Sequence, residues 1–328
     1  MRTDTKQKLA LRVLSTAALM AMVSSIATAA FAGTYYLEDG DITVNVKDDG
    51  HYVTQGELYK KDQDNQVTIT SRDKETQEVE TTQNVVKVTV EDNATANVTI
   101  EDAKIELAGA KDDSGKYKNG ITVETQGENT EANITLDNVN VEARKNPEGT
   151  RYVDKEGGAA MSVKGNGSTT VELDGKNTLT SGTGHAGLEK NDNTGNGTLI
   201  IKDDKNDDGT EKTEEQKKAE TESGEGAGSL TATGGAGGAG IGGASYRSGS
   251  NITITGGNIT ATAGSNTGTG PVSCGAGIGG GGFGEGNNIT ISGGTVNATG
   301  GEGNDFYHYG GAGIGGGYNR GANNITIS

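Results

Sequence analysis

The chain has 328 residues, of which 56 are Gly, two are Pro and one is Cys, and its formal net charge is −17. A surface so acidic repels phosphate backbones and anionic lipid, which argues against nucleic-acid binding or a membrane-surface role and leaves divalent cations and neutral polymers as easier partners. Only 30% of the residues are hydrophobic and Trp is absent, a composition that implies disorder unless it is periodic.

Residues 1–32 carry Arg2, Lys6, Lys8 and Arg12, then an apolar run from Val13 to Ile26, then Ala30-Phe31-Ala32. A basic stretch, a hydrophobic stretch and a small-x-small site form a secretory signal peptide, with cleavage expected after Ala32. The apolar run is shorter than the roughly 20 residues a spanning helix needs, so no membrane span is expected. The mature chain is expected to be secreted. An exported chain with the single cysteine Cys274 has no internal disulfide framework, and a small buried residue beside glycines is the reading for Cys274.

Residues 33–90 contain three apolar runs, Ile42 to Val46, Val67 to Ile69 and Val86 to Val90, separated by Asp-, Gly- and Gln-rich turns. A repeat array needs its first edge covered, so this segment is expected to form an N-terminal cap and first coils.

From residue 91 onward the chain is periodic. Paired apolar residues with period-two alternation occur at Val98/Ile100, Ile134/Leu136, Val171/Leu173, Leu199/Ile201, Ile252/Ile254, Ile289/Ile291 and Ile325/Ile327, in steps of 36, 37, 28, 53, 37 and 36 residues. A second apolar landmark lies 11 residues before each strand from the second pair onward, at Val123, Ala160, Leu188, Ile241, Ile278 and Ile314. A third follows the strand, at Ile105, Val141, Leu179, Leu230, Ile259 and Val296. Three short strands per coil predict an all-β fold, a three-sided parallel β-solenoid (β-helix) taken as right-handed, with about seven coils over residues 91–328. The 53-residue step is explained by an acidic insertion over 202–226. Since the sequence ends within the strand at Ile325 to Ile327, the array is expected to continue in a longer protein.

Asn97, Asn133, Asn251, Asn288 and Asn324 stand just before their strands. Equivalent residues of stacked coils lie about 4.8 Å apart, so these amides predict a coil-to-coil ladder inside a turn.

The segments TYYLEDGDITVNV, TTVELDGKNTLTSGTGHAGLEKND and the reiterated GAGIGGG with NITISGGTV resemble bacterial secreted proteins described as carbohydrate-binding domain-containing, which are glycine-rich β-solenoid surface proteins. The resemblance covers essentially the whole mature chain. It implies a surface-attached, glycan-related role, with a polysaccharide or a host or cell-surface glycan as partner and attachment to the cell wall through a C-terminal region outside this sequence.

Two surfaces are candidates for holding a polymer. Tyr246, Phe283 and Tyr318 stand five, five and four residues after Ile241, Ile278 and Ile314, which stacks three aromatics in one column, and sugar rings pack on aromatic faces. The second candidate is the loop carrying Phe306, Tyr307, His308 and Tyr309, because loops on rigid scaffolds carry recognition. The alternative for each is a structural filler of the turn or the solenoid flank.

The insertion contains Asp204-Lys205-Asn206-Asp207-Asp208-Gly209 followed by Glu215, a match to the twelve-residue calcium loop in which Asp204, Asn206, Asp208 and Glu215 supply oxygens. Calcium is therefore the candidate cofactor. The alternative is a solvated charged segment, since Glu211 stands where that loop carries an apolar anchor.

Parallel β-helices also host polysaccharide lyases and hydrolases, and Asp203-Asp204 with Gly184-His185 superficially match the paired acids and histidine of pectin hydrolases. Paired acids must face one cleft some 5 to 10 Å apart, whereas Asp203 and Asp204 open the insertion and GHAGLEKND reads as a solenoid turn. The three histidines, His51, His185 and His308, are too widely spaced to support a triad or a zinc cluster. The expected function is thus non-catalytic glycan binding of adhesin type, the alternative is a purely structural stalk, and a lyase or hydrolase ranks third.

Overall fold

The computed structural model describes residues 33–62, 65–148, 155–206, 210–217, 226–265, 274–303 and 310–328. Among the described residues the chain winds through three sheets of nine, ten and seven strands. One coil shows the pattern. Ile121–Thr125 lies in the ten-stranded sheet, Glu131–Asp137 in the nine-stranded sheet and Asn140–Glu142 in the seven-stranded sheet. We call these the second, first and third walls. Each strand pairs in parallel with its equivalent one coil further on, at Met161–Gly165, Ser168–Asp174 and Lys176–Thr180. The fold is therefore a parallel β-solenoid, as the repeat predicts.

Alternation decides which side chains enter the core. In Glu131–Asp137, Ala132, Ile134 and Leu136 are buried while the residues between them face outward. Each large side chain so removed from water, such as Ile134 or Leu136, contributes roughly 1.5–3 kcal/mol, and most of it is realised only against the next coil. The resulting column on the first wall runs Val67, Val98, Ile134, Val171, Ile201, Ile254, Ile291, Ile327.

Three register expectations are corrected. Leu199 lies on Thr169 and Ile201 on Val171, so the fourth pair is shifted by two residues from its predicted partner. One position beyond the Glu172–Lys202 pair come Leu173 and Asp203, and Asp203 is buried against Lys212, which gives a polar anchor where alternation alone would place a hydrophobe. On the second wall Ile121, Met161 and Leu188 share a column, with Val123 on Val163 and Lys190, so Ala160 is the corner residue before the strand. On the third wall Leu230 lies on Asn177 and Leu179 on Ala232. The cause is the buried Asn177 side chain, which donates to the Leu136 and Asp174 carbonyls and accepts from the Val139 amide, satisfying corner groups that would otherwise be orphaned.

The N-terminal segment joins the stack earlier than the seven predicted coils. Val67–Thr70 pairs with Thr95–Glu101, and Val86–Val90 is sandwiched between Ile42–Lys47 and Ile121–Thr125. Beyond Ile42–Lys47, the strands Gly50–Gln55 and Leu58–Lys61 add antiparallel and end the second wall. His51, buried in this hairpin, accepts the Asn97 amide at its Nε2.

The asparagines divide into two short ladders. Asn133 donates to Asn97 across 3.2 Å within extended strands. Asn324 donates to Asn288 and Asn288 to Asn251, each across 3.0 Å, from left-handed backbones with φ of +55°, +53° and +58° respectively. The two runs stand in different columns: Asn133 lies on Thr170, Thr170 on Ile200 and Ile200 on Thr253, two positions past Asn251. Cys274 is buried, as expected.

Candidate functional site

The aromatic column forms on the turns between the second and first walls. In two of them the ring stands at the third position of a β-turn closed by Arg247 N–H to Ala244 O and Gly284 N–H to Gly281 O, with φ of +61° at Tyr246 and +63° at Phe283. That position requires positive φ, an unusual demand on an aromatic residue. In the next turn, closed by Arg320 N–H to Gly317 O, Asn319 takes the left-handed site at +57° and Tyr318 precedes it. This explains the four-residue rather than five-residue spacing. Tyr246 and Phe283 stack with centroids 5.1 Å apart and planes 13° apart, while Tyr318 meets Phe283 edge-on at 5.0 Å and 75°. The stacked arrangement turns the inner ring faces toward one another, and Tyr246 stays 68% exposed. The column therefore offers one open ring rather than three parallel platforms. Phe306, Tyr307, His308 and Tyr309 lie outside the described residues.

Next to the Tyr246 turn is a polar recess that the sequence reading did not identify. Ser245 N–H donates to Gly184 O at 2.8 Å and Ala244 N–H to Asn191 Oδ1 at 2.8 Å, which ties the turn to the segment Gly184–Asn191. From Asn191 a relay runs inward: its Nδ2 donates to Glu189 Oε1 at 3.0 Å, and Glu189 Oε2 meets His185 Nδ1 at 2.7 Å. Leu188–Lys190 positions this relay by alternation. Its outer residue, Glu189, lies beside Ser162, and its inner residue, Lys190, is buried with Nζ on the Gly195 carbonyl. Burial lowers the affinity of Lys190 for its proton.

The recess is an open depression of about 460 Å³ lined by residues including Lys116, Tyr117, Ser162, Lys164, His185 and Glu189. Burial disfavours charge on His185, but the Glu189 hydrogen bond and carboxylate outweigh it, so the imidazole is held above its ordinary pKa, with Lys164 opposing slightly. The Tyr117 hydroxyl is fixed on Glu156 at 2.6 Å. Only alternation in HAGLEKN hints at the relay, and its closure depends on a turn one coil away.

Of the four candidate calcium ligands in the insertion, Asp204 and Asn206 have protein partners. Lys202 Nζ contacts both Asp204 oxygens, at 2.9 and 2.8 Å, and Asn206 pairs with Thr210 and Gln216, while Glu215 is exposed. Asp208 lies outside the described residues. The close carboxylate group among the described residues is instead Glu172, Asp174 and Asp203, within 4.8 Å of one another. Lys212 reaches Asp203 at 2.6 Å, and Glu172 Oε1 accepts the Asp204 and Lys205 amides at 2.9 and 3.0 Å. Burial, followed by Asp204, pushes the Glu172 carboxyl up to about 7. Burial works against ionised Asp204, yet its contacts with Lys202 and Glu172 hold it below the usual carboxylate range. These groups tether the insertion to the stack.

A family model described as a beta helix repeat matches residues 252–282 and 289–318, each running from a first-wall strand through the third wall to the following GIGG run of the second wall. No curated protein and no solved structure matches the chain. The matched segments are similar to β-helix repeats, in agreement with the parallel stack. Such repeats occur in enzymes and in non-enzymes alike. Among the described residues no helix is long and apolar enough to cross a membrane.

Proposed function

We propose that this protein is a secreted, cell-surface-associated solenoid that binds a glycan without catalysis, across the Tyr246 turn and the recess beside it. The observation that carries the reading is the Tyr246 ring, 68% exposed and backed by Phe283 at 5.1 Å. An exposed aromatic held rigid by a second ring loses little side-chain freedom on binding and presents an apolar face for a pyranose. The hydrogen bonds from Ser245 to Gly184 and from Ala244 to Asn191 tie the Tyr246 turn to the segment that carries His185 and Glu189 of the recess, which supports a stacking surface and polar partners for one chain of sugars. Residues 1–32, with their basic start and apolar run, support export. A binding role fits a carboxylate, Glu189, whose oxygens are both engaged by Asn191 and His185.

A glycan array tests this reading. The intact chain is expected to bind one class of polysaccharide, and Tyr246→Ala to weaken it by about 3- to 10-fold, the value of one aromatic contact. If Tyr307→Ala with Tyr309→Ala abolishes binding while Tyr246→Ala does not, the loop is the site instead. Absence of binding to any glycan leaves the structural stalk, a reading favoured by the way the three rings pack on one another.

A further inference from the structure

We infer that the recess over the second wall is a binding site for the carboxylate of an acidic sugar, a uronate residue within a polysaccharide. The choice of a sugar as the carrier of the carboxylate rests on the glycan reading above; the anion site itself stands on the recess alone.

Its polar lining is dominated by donors. Lys164 projects from the outer face of Met161–Gly165 and forms no ion pair among the described residues, not even with Glu124, its register neighbour on the adjacent strand. Lys116 stands on the wall contributed by the segment after Lys111, and Ser162 contributes a hydroxyl. Asn119 uses its side-chain oxygen on the Ala159 amide at 2.9 Å, which leaves its NH₂ as the group available to a ligand. The Nδ1 of His185 is committed to Glu189, so its Nε2 is the ring atom left for the recess. Against these donors stands one lining carboxylate, Glu189, which is 6% exposed and already engaged through both oxygens. An apolar or neutral ligand would leave the ammonium group of Lys164 without an ion-pair partner, whereas a carboxylate accepts from several donors at once and forms charge-assisted hydrogen bonds.

The net charge of −17 makes this concentration of donors notable, since the field of the whole molecule opposes any anion and only a local arrangement overcomes it. A free small anion would find the same donors but no partner for the Tyr246 ring. A uronate oligomer supplies both, and about 460 Å³ lies within the roughly 300–1,000 Å³ of small-ligand sites.

The test uses the full chain with ¹³C-labelled histidine, and His185→Gln assigns the His185 ring signal. Titration with trigalacturonate is expected to move that signal, and Lys164→Ala to weaken the interaction about tenfold, the value of one charge-assisted contact. The methyl-esterified trisaccharide is expected to bind at least tenfold less tightly than the acid. If ester and acid bind equally, or if Lys164→Ala leaves acid binding unchanged while circular dichroism shows an intact fold, the inference is overturned and the glycan reading stands. If no oligosaccharide binds but acetate still moves the His185 signal in a Lys164-dependent way, the glycan reading falls and the anion site remains. If neither moves it, the anion site falls too.

Discussion

The two ends of the solenoid fill the same cross-section by different means. Up to about residue 202 the second wall contributes two inward rows, Ile121/Val123 and Met161/Val163, and the third wall contributes Val141 and Leu179. Beyond residue 228 the second-wall strands shrink to Ile241–Gly242, Ile278–Gly279 and Ile314–Gly315, and the third-wall row becomes Ala232, Ala261 and Ala298. Here the walls meet backbone to backbone. A Cβ on Gly240 or Gly277 would lie 2.6 Å from the amide nitrogen of Thr262 or Thr299 across the core. In the N-terminal coils the second wall is filled by side chains that neighbours can accommodate, whereas in the C-terminal coils its glycines bring it against main chain that cannot yield, while Ile241, Ile252, Ile254, Ile259 and Ile278 still fill the rest of the core. This is why the GAGIGG motif repeats almost letter for letter while the earlier coils vary in sequence: a packed row accepts any apolar group of suitable volume, but a backbone contact accepts only glycine.

The contrast is sharpest at Gly279. It has φ of +129° and its Cβ would fall 2.0 Å from the Gly315 carbonyl oxygen, so Gly279→Ala combines backbone strain with overpacking and is expected to cost about 2–6 kcal/mol. Leu136→Ala in the side-chain-filled half is expected to cost about 2–5 kcal/mol through its cavity. Denaturant unfolding separates them by partner substitutions: Leu136→Ile should largely keep stability, whereas no side chain at 279 should restore it. A larger residue tolerated at 279 would break the comparison.

A smaller effect is expected at the ladders. Asn288→Ala removes bonds to Asn251 and Asn324 from a residue at φ +53°, and should cost about 1–2 kcal/mol, more than Asn133→Ala, whose ladder partner Asn97 lies in an extended strand. Equal losses would show that the left-handed backbone adds nothing.

A pH-dependent effect concerns the insertion between the halves. Because Glu172 is raised from 4.5 to about 7 in the fold, the folded state binds the extra proton, so its contribution is fully present below about pH 4.5 and is lost as pH rises through about 7. The wild-type unfolding midpoint should therefore decline over that window relative to Glu172→Gln, whose profile is expected to be flatter. Parallel profiles would show that Glu172 titrates alike folded and unfolded.

Much of the architecture was legible because its signals are local. Alternation around Ile134 and Ile289 and the recurrence of GIGG specify strands and corners without reference to partners. The register was legible only in part, since Asn177 and Asp203 interrupt the apolar columns with polar groups whose partners, the Leu136 carbonyl and Lys212, are distant in sequence. For the site, the spacing of Tyr246, Phe283 and Tyr318 foretold a column, but not that two rings would stack face to face while the third turned edge-on. The His185–Glu189 relay was read as a turn because its closing contact comes from Ala244, 55 residues past Glu189 and one coil away.

The sequence alone therefore determined that the chain is a parallel β-solenoid and where its coils recur, because period and alternation are properties of neighbouring residues. Tertiary structure alone decided which residues share a level in the stack, which rings remain open and which charges gather in one recess. Those outcomes depend on the pairing of coils 30 or more residues apart, where a shift of two residues keeps every apolar side chain facing inward yet changes every partner it meets.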